Sequence, residues 1–139
     1  MHDPKQIQDE MIDAFSLFSE WLERYQYLID LGRKLPPLDD AEKTDEQLLA
    51  GCQSQVWLLL EGDAGQVTIR ANSDAAIVSG LIALLIQVYS GCTARQIVDT
   101  EPYFIHEIGL SDHLSLTRAN GLHAMLGAIK GHAQGLLTP

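Results

Sequence analysis

The stretch Ala75 to Val88 constrains this chain more than any other. Ile77, Val78, Leu81, Ile82, Leu84, Leu85, Ile86 and Val88 put apolar side chains on nearly every side of a helix. With so little of it left for water, the helix has to lie at the centre of a fold. Ser79, Gly80 and Gln87 interrupt the run, and it falls short of the ~20 residues a membrane helix needs. Asn72, Ser73 and Asp74 offer N-caps and Gly91 a stop, which places the helix over about 75–90.

The flanking segments read as elements that wrap it. Ile7, Met11, Phe15, Phe18, Leu22 and Tyr25 recur at steps of three and four, the inner face of one helix or of two consecutive ones beginning at Asp3-Pro4. Leu31-Gly32 reads as a helix stop, and Lys34-Leu35-Pro36-Pro37 cannot continue the helix. The acid-rich segment Leu38 to Glu46 reads as an exposed connection. From Gln47 the pattern turns extended: a strand over 55–61, a turn at Gly62-Asp63-Ala64-Gly65, and a strand over 66–71 alternating Val67, Ile69 and Ala71 with Thr68 and Arg70. After the central helix, Thr93 and Gln96 form a capping box for a short helix to Asp99, and Pro102 suits the start of another. A last helix over 117–133 turns Leu122, Met125, Leu126 and Ile129 inward, with Gly121 and Gly127 allowing close backbone approach. Helices and a hairpin within 139 residues predict one α+β domain over 1–139.

Charge narrows the partners. The chain carries a net -10 with nine Lys and Arg in all, scattered rather than striped, which argues against nucleic acid. Twelve of the nineteen acidic residues fall in 1–46; this face either steers docking onto a basic protein or simply keeps the chain soluble. The first ten residues are polar and lack the basic start and apolar segment of a secretory signal. Two cysteines forty positions apart make no disulfide framework. A cytoplasmic protein that does not enter a membrane is expected.

Cys52 is the strongest candidate for chemistry. It sits in Gly51-Cys52-Gln53-Ser54-Gln55-Val56-Trp57, where a glycine lets the backbone bend, three uncharged polar residues follow, and Val56 to Leu60 anchors the far side as a strand. A free cysteine is most often buried and inert, but this setting presents a thiol on a loop held by a sheet. Such a thiol, as thiolate, attacks another sulfur.

That string resembles the SufE-type sulfur acceptor proteins, which partner cysteine desulfurases in iron–sulfur cluster assembly. The similarity extends to Trp21, Tyr25, Leu31-Gly32, Leu35-Pro36, the run Ser73 to Ala83, His113-Leu114, Arg118 and Gly121-Leu122. A related branch carries Glu-Asn-Arg after the cysteine; Gln53-Ser54-Gln55 here is closer to SufE itself. The resemblance implies a small antiparallel sheet of about three strands packed with several helices, as in scaffold proteins, the extra strand coming from residues just before Cys52. The residues themselves support two strands. It also implies a reaction. A SufS-like pyridoxal phosphate desulfurase holds sulfur as a cysteine persulfide; Cys52 takes the outer sulfur and passes it to an iron–sulfur scaffold. On that reading this chain needs no cofactor of its own.

Around Cys52, the site residues expected are Gly51, Gln53, Ser54, Gln55, Asp74 and Arg118. No cation lies near Cys52 in sequence, so any activation of the thiol has to come from the fold or the partner. Arg118, at the start of the last helix, is the basic residue expected nearest; a surface ion pair is its competing role. Asp74 reads as a helix cap first and a contact residue second. Since persulfides are easily lost, Cys52 is expected to tuck its sulfur against apolar side chains in the free protein. Cys92, after Gly91, reads as a core residue. The five histidines show no metal-ligand spacing, and His113 reads as structural. Three rivals stay open: a cysteine hydrolase with distant partners, an iron–sulfur scaffold, although two cysteines are few for a cluster, and an interaction module in which Cys52 is incidental.

Overall fold

The computed structural model describes residues 2–138. Helices α1 (Pro4–Ser16) and α2 (Trp21–Arg33) lead into two single 3-10 turns, Asp40–Glu42 and Asp45–Gln47. A hairpin follows, β1 (Val56–Asp63) and β2 (Gln66–Ser73), and then α3 (Ala76–Tyr89), α4 (Ala94–Asp99), α5 (Phe104–Ile108), α6 (Leu110–His113) and α7 (Leu116–Leu137). This is the α+β fold expected.

Nine of the fourteen residues of α3 are buried, with α1 and α2 on one side and β2 and α7 on others. The crossing with α2 is the tightest. A Cβ built on Gly80 would lie 2.3 Å from the Leu28 carbonyl oxygen, and one on Gly32 would lie 2.7 Å from the Gly80 nitrogen. Gly32 is therefore a crossing residue rather than a helix stop. α2 runs on to Arg33 and ends because Pro36 drives Leu35 out of the helical region. Leu22 also departs from expectation: it is 81% exposed. The chain breaks after Ser16 and restarts at Trp21, so the helical phase resets. The inner face of α2 is then Leu28 and Gly32, flanked by half-buried Trp21 and Tyr25.

The hairpin pairs Val56 with Ser73 through to Asp63 with Gln66. Its turn is only Ala64-Gly65, shorter than the segment 62–65 expected, and Asp63 Oδ1 accepts from the Gly65 N–H at 2.9 Å. The sheet has two strands among the described residues, not about three. Before Cys52 there is one bridge, Leu48 to Trp57, with Leu49 N–H donating to the Val56 carbonyl at 2.9 Å. A 3-10 turn ends at Gln47 and Gly51 takes φ +91°, so the extended stretch between them is too short for a strand.

The expected caps of α3 make most of their bonds elsewhere, although Ser73 Oγ also accepts from the Ala75 N–H at 3.2 Å. Its N-cap is Ala75, which has no side-chain bond to offer. Asn72 Oδ1 instead accepts from the Leu38 N–H at 2.6 Å, Ser73 Oγ donates to the Gln55 carbonyl at 2.7 Å, and Asp74 Oδ1 accepts from the Gln55 N–H at 3.0 Å. The acid-rich connection is likewise strapped down: Glu42 accepts two hydrogen bonds from the Arg70 guanidinium, at 2.5 and 2.8 Å, and Leu38 is buried. The paired guanidinium holds the Glu42 carboxyl below its ordinary range.

On the far side, the Thr93–Gln96 capping box forms as expected. At the other end of α4, Lys130 Nζ donates to the carbonyls of Ile97 and Thr100 at 2.8 and 2.7 Å. α7 begins one residue earlier and ends four later than the 117–133 expected.

Substituting Gly80→Ala should lower the unfolding free energy by roughly 1–3 kcal/mol, since the methyl has to push helix backbones apart. Gly131→Ala, where a Cβ meets nothing within 4 Å, should instead gain about 0.5–1 kcal/mol from helix propensity. Urea denaturation of the two variants against the parent checks both signs.

Candidate functional site

Cys52 lies on the bend joining the Leu48 bridge to β1. Gly51 sets this bend with its positive φ, and a Cβ there would sit 3.3 Å from the Ala124 methyl of α7. The far end of the loop is tied at Gln55, whose N–H and carbonyl are both held from β2 and the residue after it: Asp74 by carboxylate and N–H, Ser73 by hydroxyl. Between these ties, one hydrogen bond is made among the described residues. Cys52 Sγ–H donates to the Gly121 carbonyl at 3.8 Å, a weak contact even for sulfur.

The half-buried thiol faces a small cleft. Val78 and Leu81 of α3 and Gly121, Leu122 and Met125 of α7 form its walls, Gln53 and Ser54 cover it, and Thr117 and Arg118 stand at its mouth. The space within the cleft is about 20 Å³, room for about one water-sized body. Burial among these side chains pushes the Cys52 thiol above its ordinary pKa. The sulfur is tucked against apolar side chains, as its chemistry led us to expect.

Of the residues singled out in the sequence, Gly51, Gln53, Ser54 and Arg118 are brought to Cys52 or its cleft. Asp74 and Gln55 act one step away, as the tie at the loop's end. Arg118 is exposed and forms no ion pair among the described residues. What the sequence reading missed as site residues are the walls, Val78, Leu81, Thr117, Gly121, Leu122 and Met125. Val78, Leu81, Leu122 and Met125 read as core-facing apolar positions and Gly121 as a small residue inside a helix, and although several carry the family resemblance, none reads as part of the site. At Gly127, read in the same way, a Cβ would meet nothing within 4 Å, so no close approach calls for glycine there.

Cys92 is remote from this cleft. It is fully buried, its Sγ–H donates to the Val88 carbonyl at 3.4 Å, and burial together with the nearby Asp3 charge pushes its pKa up to about 11. Val78 beside Cys52 and Val88 beside Cys92 are ten residues apart on α3, roughly 15 Å along the axis, and a disulfide needs Cα atoms within ~7 Å. His113 stacks on the Trp21 ring at 3.8 Å and its carbonyl accepts from the Tyr25 hydroxyl; these family-like positions fasten α2 to α6. Among the described residues, no group of three or more His, Cys, Asp or Glu side chains could hold a metal, and no helix is long and apolar enough to cross a membrane.

The thiol pKa has a direct readout. Because only the thiolate reacts, the pH profile of Cys52 alkylation in the native protein should have its midpoint above that of free cysteine, near 8.5, with Cys92 unmodified until the chain unfolds. Peptide mass spectrometry of iodoacetamide-treated samples resolves the two thiols, and a Cys52 midpoint at or below the free value would contradict the buried geometry.

Comparison with known proteins identifies the family. The model of the SufE family, an Fe-S metabolism associated domain, matches residues 9–133. A SufE-like protein of Rhizobium meliloti (strain 1021) is 42% identical over 134 residues, covering 93% of this chain and 96% of its own. A solution structure of a hypothetical protein from Thermus thermophilus superposes over the full length of both chains with a TM-score of 0.77 at 21% identity, a likeness of fold. With the family model spanning nearly the whole chain around the Cys52 loop, this protein belongs to the SufE family of iron–sulfur metabolism.

Proposed function

We propose that the protein is a sulfur acceptor: it takes persulfide sulfur from a cysteine desulfurase onto Cys52, so stimulating that enzyme, and hands it to an iron–sulfur scaffold in the cytoplasm. The observation that carries this reading is the placement of the thiol, over a cavity with room for about one more atom of its size, on a loop fastened only at its ends.

In the transfer, the Cys52 thiolate attacks the outer sulfur of the donor's persulfide. A sulfur–sulfur bond forms at Cys52 as the donor's breaks, and the donor cysteine leaves as thiolate. Among the described residues, the half-buried thiol has no basic side chain in its cleft except Arg118 at the mouth, so in isolation it stays protonated and slow. Docking has to draw the loop outward, breaking the weak bond to Gly121, before the thiol can ionise. The loop's ties at Asp74 and Ser73 keep its base in place while the middle swings. Leu116, 77% exposed beside Thr117 and Arg118, gives the rim an apolar anchor of the kind that dominates interfaces.

A scaffold role is less well supported, because among the described residues no group of three or more His, Cys, Asp or Glu side chains that could hold a metal forms around Cys52. An interaction module would leave the buried thiol and its cavity without a use.

Mass spectrometry after incubation with a cysteine desulfurase and free cysteine should find added sulfur on Cys52, and sulfur confined to Cys92 would overturn the reading. Cys52→Ser should bind the desulfurase about as well as the parent yet fail to stimulate it. Reversing the charge at Arg118 or Asp74 should raise or lower the concentration giving half-maximal stimulation, with a salt dependence if rim charges set the encounter. No effect of either, with binding lost on changing the acidic face of 1–46, would move the interface to α1 and α2.

A further inference from the structure

Gly121 stands inside α7, where alanine would be the better helix former. Its backbone follows the ordinary helical path, with no left-handed torsion to call for glycine. A Cβ built there would meet one atom within 4 Å, the Cys52 Sγ, at 3.7 Å. This is normal contact distance, so an alanine would fit beside the free thiol. The same methyl would, however, occupy space next to Sγ in a cavity of only about 20 Å³. A second sulfur bonded to Sγ sits about 2.05 Å away from it, and a cavity of this size holds about one such atom.

We propose that Gly121 is a specificity-determining residue of the site. Its missing side chain reserves the room in which the outer sulfur of a Cys52 persulfide is sheltered. The inference rests on the sulfur-acceptor reading and adds to it the residue that distinguishes the loaded state from the free thiol. Val78, Leu81, Leu122 and Met125 close the cavity on the other sides, and Gly121 is the wall whose enlargement would be felt by the second sulfur while the first is left undisturbed.

The test needs no desulfurase, so it separates this inference from the parent reading. Cys52 is loaded with inorganic polysulfide in a Cys92→Ala background. Its thiolate attacks a terminal sulfur, a bond forms to Cys52, and the polysulfide leaves one sulfur shorter with both its charges. Intact-mass spectra confirm the added sulfur. Cyanide then removes the outer sulfur as thiocyanate, and the rate is followed for the parent, Gly121→Ala and Gly127→Ala. The last is a control in the same helix, where a Cβ meets nothing within 4 Å.

Gly121→Ala should lose its sulfur about fourfold faster than the parent, the factor that corresponds to giving up the burial of one methylene-sized group. Gly127→Ala should match the parent, and iodoacetamide should alkylate the unloaded Cys52 thiol equally fast in all three. Equal cyanide rates in the parent and Gly121→Ala would overturn the role of Gly121 alone. Faster alkylation of the unloaded thiol in Gly121→Ala would overturn it too, because the methyl would then be displacing the loop. A parent persulfide no better protected than that of an unfolded chain would instead remove the support for sheltering, and with it the acceptor reading.

Discussion

The burial of α3 on nearly every side is the constraint from which the rest of the architecture follows. A helix with so little polar surface can persist in water only if other elements cover it, and in a chain of this length few are available. α2 covers it at backbone contact through Gly32 and Gly80, and β2, α7 and α1 pack against it as well. The Cys52 cleft sits where this covering is interrupted. Val78 and Leu81 reach it from α3, while the loop before β1 supplies a lid in place of a third strand.

Stability and chemistry are therefore built from the same side chains. Leu81, Leu122 and Met125 are core residues by burial and cavity walls by position. The cavity inherits the stiffness of a close-packed interior, whereas the thiol rides on a segment with a single weak bond in its middle. A rigid receptacle under a movable lid suits the proposed holding and release of one sulfur atom.

Much of this was legible in the residues, and the misreadings share a cause. Helix α3, the Thr93–Gln96 box, the Asp3 start and the hairpin followed from local pattern, because local bonds decide them. Asn72, Ser73 and Asp74 look like caps of α3, a local role, yet apart from the Ser73 contact to Ala75 the fold uses them mainly for bonds to Leu38 and Gln55, far off in sequence. Gly32 looked like a stop because nothing in the sequence announces Gly80 across from it. Cys52 and its neighbours were found from their own string. The cleft walls were not, since α3 and α7 converge on it from points in the chain that no spacing rule connects.

The placement of the two sulfurs at opposite ends of α3 carries a chemical consequence. A thiol within reach of a persulfide attacks it, closes a disulfide and expels the sulfur as sulfide, as resolving cysteines do. Cys92 is held about three helical turns from the cleft, fully buried and protonated. On the proposed acceptor role, sulfur carried on Cys52 would have no internal route of discharge, and its lifetime would be set by what reaches the cleft from outside. The same isolation leaves Cys52 without self-repair: once oxidised to a sulfenic acid, it has no neighbouring thiol with which to close a disulfide before oxidation goes further.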